Sequence, residues 1–589
     1  MATDKQIELT FPRLNQFWQD SGVLGLYRII LDKTHAQPAL DSRIESGNLA
    51  KRHHVTVDLD ASGLHLRGQA DKVKKLLEEA YDRLVDAYYN ISTEKQISDK
   101  AKYNFYYDSK KDKFISFPKR NSVGIASLIF NKKLSPSVTS VNWVGQAKKE
   151  IQISGKKVKK TRAVLPESHK HLQRRMDSFL DENQLDITTA GLLVDGPNMV
   201  KPQLPKIAII EKSGKNDTCF LCGTPSSSTQ KVNQTVFPLI TGEAGILSFF
   251  SEGKSPAKVC WRCAYVGKFV PVNGFFERAD QLKMFFPFAP SLNKMNQVYD
   301  ELVPLIYRDP NHYRNFKHDL GGYFQHTVET AFAFLHSVYA ELKPRLQNKS
   351  DSDFFKDIFH LCLEDAPLAF AIIAAQKKGN TWLITEVWPF DDTVYLFRLL
   401  YRLEKEDVKV KDLMKALVDH DAAKAPNRSL LRNRVIQSIF HKRSVLDDLV
   451  AFAYHVNKNE RNYIAPLLDF AQIYEIILNE ENEMDKKARD AAVDLGKRIG
   501  ASIANDREKS RGRGKGRLFA LRKMRTLPDF LNELNSLLFQ YQIAVPPATY
   551  EGALDDDNFE WFKGFCLLAA LNTYNAFTAD DKKNKGGKS

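Results

Sequence analysis

The sequence predicts an α+β protein: a mixed α/β amino-terminal domain with an inserted four-cysteine zinc lobe, then a mostly helical half ending in a helical bundle. Three observations carry this. Helical stripes and a hairpin alternate in the amino-terminal part, two C-x-x-C pairs follow, and beyond them the apolar spacing becomes almost wholly helical. At 589 residues the chain exceeds what one hydrophobic core serves. We divide it into a basic α/β domain over 1–205, the cysteine lobe over 206–280, a mainly helical domain over 281–480 and a terminal bundle over 484–589.

Residues 11–33 read as helix, marked by Leu14, Phe17, Trp18, Leu24, Tyr27 and Ile30, with an interruption at Ser21-Gly22. Val55–Leu59 and Leu64–Leu66 alternate on either side of the Gly-containing turn Asp60–Gly63, the pattern of a β-hairpin. Val73, Leu77, Ala80, Leu84 and Tyr88 then recur at helical spacing over 70–89.

From Lys102 to Arg162 the chain carries 15 Lys or Arg against 3 acids. The window is also aromatic, with Tyr103, Phe105, Tyr106, Tyr107, Phe114 and Phe117 interleaved with Lys110, Lys111, Lys113, Lys119 and Arg120. Rings offer stacking faces to unpaired bases while cations follow phosphates, so the mixture suits nucleic acid, single strands above all. For Phe114 and Phe117 the better reading is the inward face of a strand. Asn131-Lys132-Lys133 and Asn142-Trp143 to Gln146 set amides beside positive charge, able to touch base edges as well as backbone, and Lys119, Arg120, Asn121, Lys132 and Lys133 are the foremost candidate contacts. Residues 154–162 read as a mobile basic loop, and Lys206–Ile210 as a strand leading to the cysteines.

Cys219-Phe-Leu-Cys222 and Cys260-Trp-Arg-Cys263 hold four of the six cysteines. Two such pairs close a tetrahedral all-thiolate shell on zinc, with no open coordination position, so the metal would hold a fold together and do no chemistry. Gly223 and Pro225 supply the turn behind the first pair, and Trp261 offers a cover for the sulfurs. The competing readings are two reduced pairs in a core, or a redox C-x-x-C, which needs only one pair. The 37 residues between the pairs, 223–259, loop out as a small lobe between the two knuckles, and the cysteine region as a whole ends near Phe276. Cys362 and Cys566 sit in apolar helical patterns as core residues.

Beyond the lobe, Val328, Phe332, Leu335 and Tyr339 mark a helix, and Trp382–Trp388 is the one convincing strand, part of a small hairpin. In the bundle, Ala488, Ala492, Leu495 and Ile499 form one stripe, Leu531, Leu534 and Leu538 a second, and Trp561, Phe565 and Leu568 a third. Between the first two stripes lies Arg511-Gly-Arg-Gly-Lys-Gly-Arg517, read as a basic loop because glycine disfavours helix. The tail from Asp580 reads as disordered.

The net charge is +14, yet the two windows 102–162 and 486–525 carry +12 and +10, leaving the rest at −8. Segregated positive charge is the footprint of a polyanion partner. No run of about 18 apolar residues suggests a membrane span, and cysteines in metal spacing suit a reducing cytoplasm. Catalytic signatures are missing: no phosphate-binding Gly-rich loop, no His-Glu-x-x-His, no Gly-x-Ser-x-Gly. His318-Asp319 and His420-Asp421 resemble HD metal ligands but have no further partners at recognisable spacing. A binding protein is the expectation; an HD-type metal-dependent nuclease or a zinc-stabilised interaction scaffold are the alternatives.

The combination of a basic mixed domain, the split pairs Cys219/Cys222 and Cys260/Cys263, a helical half and a basic terminal bundle resembles the large subunit of a type I CRISPR surveillance complex (Cascade). Within that group it is similar to the CXXC-CXXC branch associated with type I-B systems. The resemblance implies a non-enzymatic cytoplasmic subunit of a prokaryote. Such a subunit binds the 5′ handle of the guide crRNA, recognises the protospacer-adjacent motif (PAM) in double-stranded target DNA, stabilises the R-loop and its displaced strand, and helps recruit a helicase-nuclease. Its neighbours would be backbone and small subunits. The terminal bundle would match the small subunit, with an internal start at Met414 or Met484 as a second source of it. The 102–162 window would meet the handle and the PAM duplex, and Arg511, Arg513, Lys515, Arg517, Arg522 and Arg525 would hold a strand.

Overall fold

The computed structural model describes residues 5–34, 46–89, 98–99, 103–117, 140–142, 145–153, 156–185, 191–194, 207–210, 217–232, 258–278, 281–289, 291–302, 305, 316–317, 319–321, 324–345, 368–378, 381–459, 464–479, 483–506 and 508–586. The protein is mixed α+β, with several small sheets and a helical carboxy-terminal half. It folds as two compact units, Met1–Arg314 with Leu361–Phe390, and Asn315–His360 with Asp391–Ser589.

In the first unit, the expected hairpin is the pair Thr56–Leu59 and Gly63–Gln69, and a third strand, Gln6–Pro12, joins its far side with Leu9 opposite Leu66. That strand takes the start of the helix expected over 11–33. The helix runs instead over Phe17–Ile30, capped by the Gln16 side chain, and passes through Ser21-Gly22 unbroken. Gly22 is there for a close approach. A Cβ on it would lie 2.3 Å from the Val266 carbonyl oxygen, and one on Gly25 would lie 2.2 Å from that of Phe269. The helix Ala70–Leu84 buries Val73, Leu76, Leu77, Ala80, Tyr81 and Leu84, the stripe its periodicity predicts.

A second sheet has the strand order Lys113–Phe117, Asn104–Asp108, Gly191–Val194, Ser140–Asn142. Phe105 and Phe114 point into a core with Leu172, Met176 and Leu180, the last two from the helix Gln173–Glu182. In place of the expected mobile loop over 154–162, residues 156–162 belong to the second of two antiparallel nine-residue strands, Gly145–Ile153 and Lys156–Val164. The alternation of Ile151, Ile153 and Val158 with polar residues suits a ladder despite the charge, and Ile151 pairs opposite Val158. Residues 207–210, expected as strand, pair with no ladder.

The third sheet is Phe275–Arg278, Gln281–Phe288, Ala369–Lys378 and Thr381–Phe390, antiparallel throughout. Only the last strand is legible in the sequence, as the run Trp382–Trp388. Leu282 to Phe286 are all buried, as are Ile372 to Ala375. A strand covered on both faces reads as a continuous apolar run, which periodicity cannot tell from a buried helix.

The second unit is helical. Gly496 and Gly500, on the helix Glu483–Asn505, admit the backbone of the helix Phe559–Gly586; their Cβ positions fall 2.2 Å and 2.3 Å from the carbonyls of Cys566 and Ala570. Ala488, Ala492, Leu495 and Ile499 are buried as expected, and so is Cys566. Two expectations are corrected. Residues 511–517 lie inside an α-helix, Glu508–Lys523, and the tail continues the last helix to Gly586. Leu518 and Leu521 anchor the first of these in the core, and tertiary burial outweighs the low propensity of its glycines.

Candidate metal centre

Both cysteine pairs sit on small β elements that local backbone bonds hold in place. Asp217–Thr218 pairs with Pro225–Ser226, and between them the chain turns so that the amide of Gly223 donates to the Cys219 carbonyl (2.9 Å) and that of Cys219 to Thr224 (3.0 Å). Gly223 has φ +69° with open space where a Cβ would lie, so glycine is required by conformation and not by crowding. The second pair begins at the end of the strand Lys258–Cys260, and Cys260 caps the helix Trp261–Val266, whose first turn carries Cys263. Backbone bonds from Phe220 to Lys258 (2.8 Å) and from Trp261 to Ser228 (3.0 Å) lock the two knuckles together. Asp217 reinforces the junction through Lys258 (2.7 Å) and Thr229 (3.1 Å). No sequence signal distinguishes this aspartate.

The four sulfurs converge, all within 4.8 Å of one another. Cys222 and Cys260 are 3.8 Å apart at sulfur, too far for a disulfide and equal to the edge of about 3.8 Å that a tetrahedron of 2.3 Å zinc–sulfur bonds requires. Cys219, Cys260 and Cys263 are buried against Val232, Val259 and Ala264. Thiols this close share protons. Cys222 is pushed well below the ordinary thiol range by hydrogen bonds from Cys219, Cys260 and Cys263, while the same kind of contact with Cys219, Cys222 and Cys260 pushes Cys263 far above it. A divalent cation can replace the retained protons, and the four cysteines could hold a metal ion. Among the described residues no other group of three or more His, Cys, Asp or Glu side chains offers such a set.

The cysteine helix is also a packing centre. Trp261, expected as a cover, is buried and meets Phe11 edge-on at 6.0 Å. Tyr265 stacks on Phe11 at 6.1 Å and donates to the Leu77 carbonyl at 2.6 Å, and Arg262 reaches the Thr10 carbonyl at 3.3 Å. One short helix therefore carries a ligand and joins the first sheet and the helix Ala70–Leu84.

The other singled-out residues are scattered. Lys110 and Lys111 are exposed at the turn closed by Asp108, which accepts from both of their amides, and Lys113 is exposed on the next strand. Asn142 lies on an edge strand, while Lys119, Arg120, Asn121, Lys132 and Lys133 fall outside the described residues. On the basic helix, Arg513, Arg522 and the following Arg525 are exposed. Arg517 is engaged by Glu533 (2.7 Å) and Ser536 (2.5 Å), and the Lys515 ammonium lies 4.9 Å from the Tyr574 ring centre. Nothing is described for the Arg511 side chain beyond its place on the helix. His318 also falls outside the described residues. Near His420-Asp421, Asp419 accepts from the Asp421 amide (3.0 Å) and faces His455 (3.3 Å).

A scan against protein-family models finds no match along the chain, and no curated protein matches it. No helix among the described residues is long and apolar enough to cross a membrane.

Proposed function

We propose that the chain is the non-catalytic large subunit of an RNA-guided type I CRISPR surveillance complex, with a structural zinc ion at Cys219, Cys222, Cys260 and Cys263. It would bind the guide crRNA handle, recognise the PAM, stabilise the R-loop and help recruit the helicase-nuclease. The observation that carries the reading is the segregation of charge: two windows of +12 and +10 on a chain otherwise near −8. Cationic hairpins and helices supply phosphate contacts whose strength comes from counterion release. The hairpin over 145–164 alone has seven Lys or Arg and one acid. Four cysteine sulfurs converging, with no further His, Cys, Asp or Glu donor in the group among the described residues, suit zinc in a closed, structural role. Base pairing would read the target, and protein the flanking motif.

Substituting Lys132→Ala with Lys133→Ala should weaken binding to PAM-bearing duplex and make the salt dependence shallower by about one to two ions. Unchanged affinity and slope would remove these residues from the interface. Metal analysis of purified protein should return one zinc per chain.

A further inference from the structure

Phe539 is 88 % exposed. It lies on the helix Leu527–Gln540, whose buried stripe is Phe530, Leu534, Leu537 and Leu538. Its helix neighbours Asn532, Asn535, Ser536 and Gln540 are exposed and polar, so along its own helix the ring stands apart from the buried stripe. An isolated naked phenyl ring among amides is a poor fit to a protein interface core, which wants apolar surroundings. It is a good fit to a flat ligand with polar edges.

Two contacts fix what stands beside it. Arg517, on the helix Glu508–Lys523, donates to Glu533 and Ser536, and a Cβ on Gly514 would come within 3.0 Å of the Tyr541 hydroxyl. The two helices thus run antiparallel, with 517 level with 533–536 and 514 level with 541. By the helical repeat, Arg513 is one turn back from Arg517 on the same face, toward the end of the partner helix that carries Phe539 and Gln540. Arg513 is exposed and makes no ion pair among the described residues. The surrounding window, 486–525, carries +10.

We propose that Phe539 is a stacking platform for one unpaired base of a single-stranded nucleic acid, with the Arg513 guanidinium on the adjoining phosphate. The ring supplies a π-face that any base can use, and the arginine supplies the charge. A duplex keeps its bases stacked on each other and cannot use the platform. The inference rests on the nucleic-acid reading above and adds to it a residue on a helix outside the basic window.

The test uses the full chain, labelled oligo(dT) and a duplex, with Phe539→Ala, Phe539→Leu, Phe539→Trp and Arg513→Ala. Because Phe539 is exposed, the variants should melt with the wild type, which the same samples check. Phe539→Ala and Phe539→Leu should each lose about tenfold or more in oligo(dT) affinity with the salt slope unchanged. Phe539→Trp should retain binding, Arg513→Ala should reduce the slope by about one ion, and duplex binding should not respond to Phe539. Wild-type oligo(dT) binding that Phe539→Ala leaves intact would overturn the platform while sparing the nucleic-acid reading. Absence of wild-type binding to either probe at low salt would overturn both. A change of oligomeric state on Phe539→Ala, with oligo(dT) affinity unaltered, would make the ring a protein contact and end the proposal.

Discussion

The cysteine cluster in the first unit and the Glu329–Arg432 pair in the second are both buried polar centres that join distant segments, yet they are built in opposite ways. The cluster gathers its donors from two local knuckles, each closed by its own backbone bonds, and only the distance between the knuckles is long-range. The ion pair joins residues 103 apart, with nothing local to announce it. Arg432 and Glu329 are 1 % and 0 % exposed at 2.7 Å. Glu329 also accepts from the amides of Gln325 and His326 at the start of the helix Thr327–Leu342, and Arg432 donates to the Met414 carbonyl and lies 4.3 Å over Phe324. Both carboxylate oxygens of Glu329 and two nitrogens of the Arg432 guanidinium are thus engaged, as burial of charge demands. Local construction makes a centre visible in sequence; long-range construction hides it.

The largest effect should come from the cluster. Cys263→Ala removes one ligand from a site whose metal binding can be worth roughly 10 kcal/mol of folding free energy. Hydrogen exchange followed by mass spectrometry should then show lost protection over 217–232 and 258–272 and in the helix Phe17–Ile30, which packs on Val266 and Phe269, with 430–440 unaltered. Protection retained at 258–272 would mean that packing by Trp261 and Tyr265 alone holds the helix, and the metal is dispensable. Next comes the ion pair. Arg432→Met should destabilise the second unit by about 3–5 kcal/mol in chemical denaturation, because Glu329 stays buried with its charge unmatched. Adding Glu329→Gln should recover most of that loss, since the amide keeps an acceptor for the helix cap. A double variant no better than the single would show that the pair itself, and not the orphaned charge, was the stabilising element.

The smallest effect separates local from tertiary preference within one helix. At Gly516 a Cβ would meet nothing within 4 Å, whereas at Gly514 it would lie 2.4 Å from Ile503 Cγ2. Gly516→Ala should therefore raise the stability of the second unit by about 0.5–1 kcal/mol. Gly514→Ala should lower it by about 1–3 kcal/mol. Thermal melts of the two variants should move in opposite directions.

The same division explains which elements were legible. The hairpin over 56–69, the helix over 70–84 and the four ligands announce themselves through period-2 alternation, a 3.6-residue stripe and a doubled C-x-x-C. The strand Gln281–Phe288 does not, because both its faces are covered and the alternation is gone. Gly22 and the glycines of 511–517 mislead in one direction: glycine was read as a breaker, and at Gly22 and Gly514 it serves a close approach that only the partner backbone or side chain makes necessary. Phe539 gave no signal, since an exposed phenylalanine at a helix position is indistinguishable from a core one until the helix is docked.

By itself, the sequence determined the class of the fold, the identity of the four cysteines that could hold a metal ion and the location of the charge, because each is written in spacing or composition over a short span. Only the tertiary structure decided that the four sulfurs meet at metal distance, that the helix Trp261–Val266 ties the first sheet to its neighbour, that residues 511–517 are helical, and that Phe539 is left exposed on its helix. Those outcomes depend on contacts between residues far apart in the chain, where burial free energy outweighs local propensity.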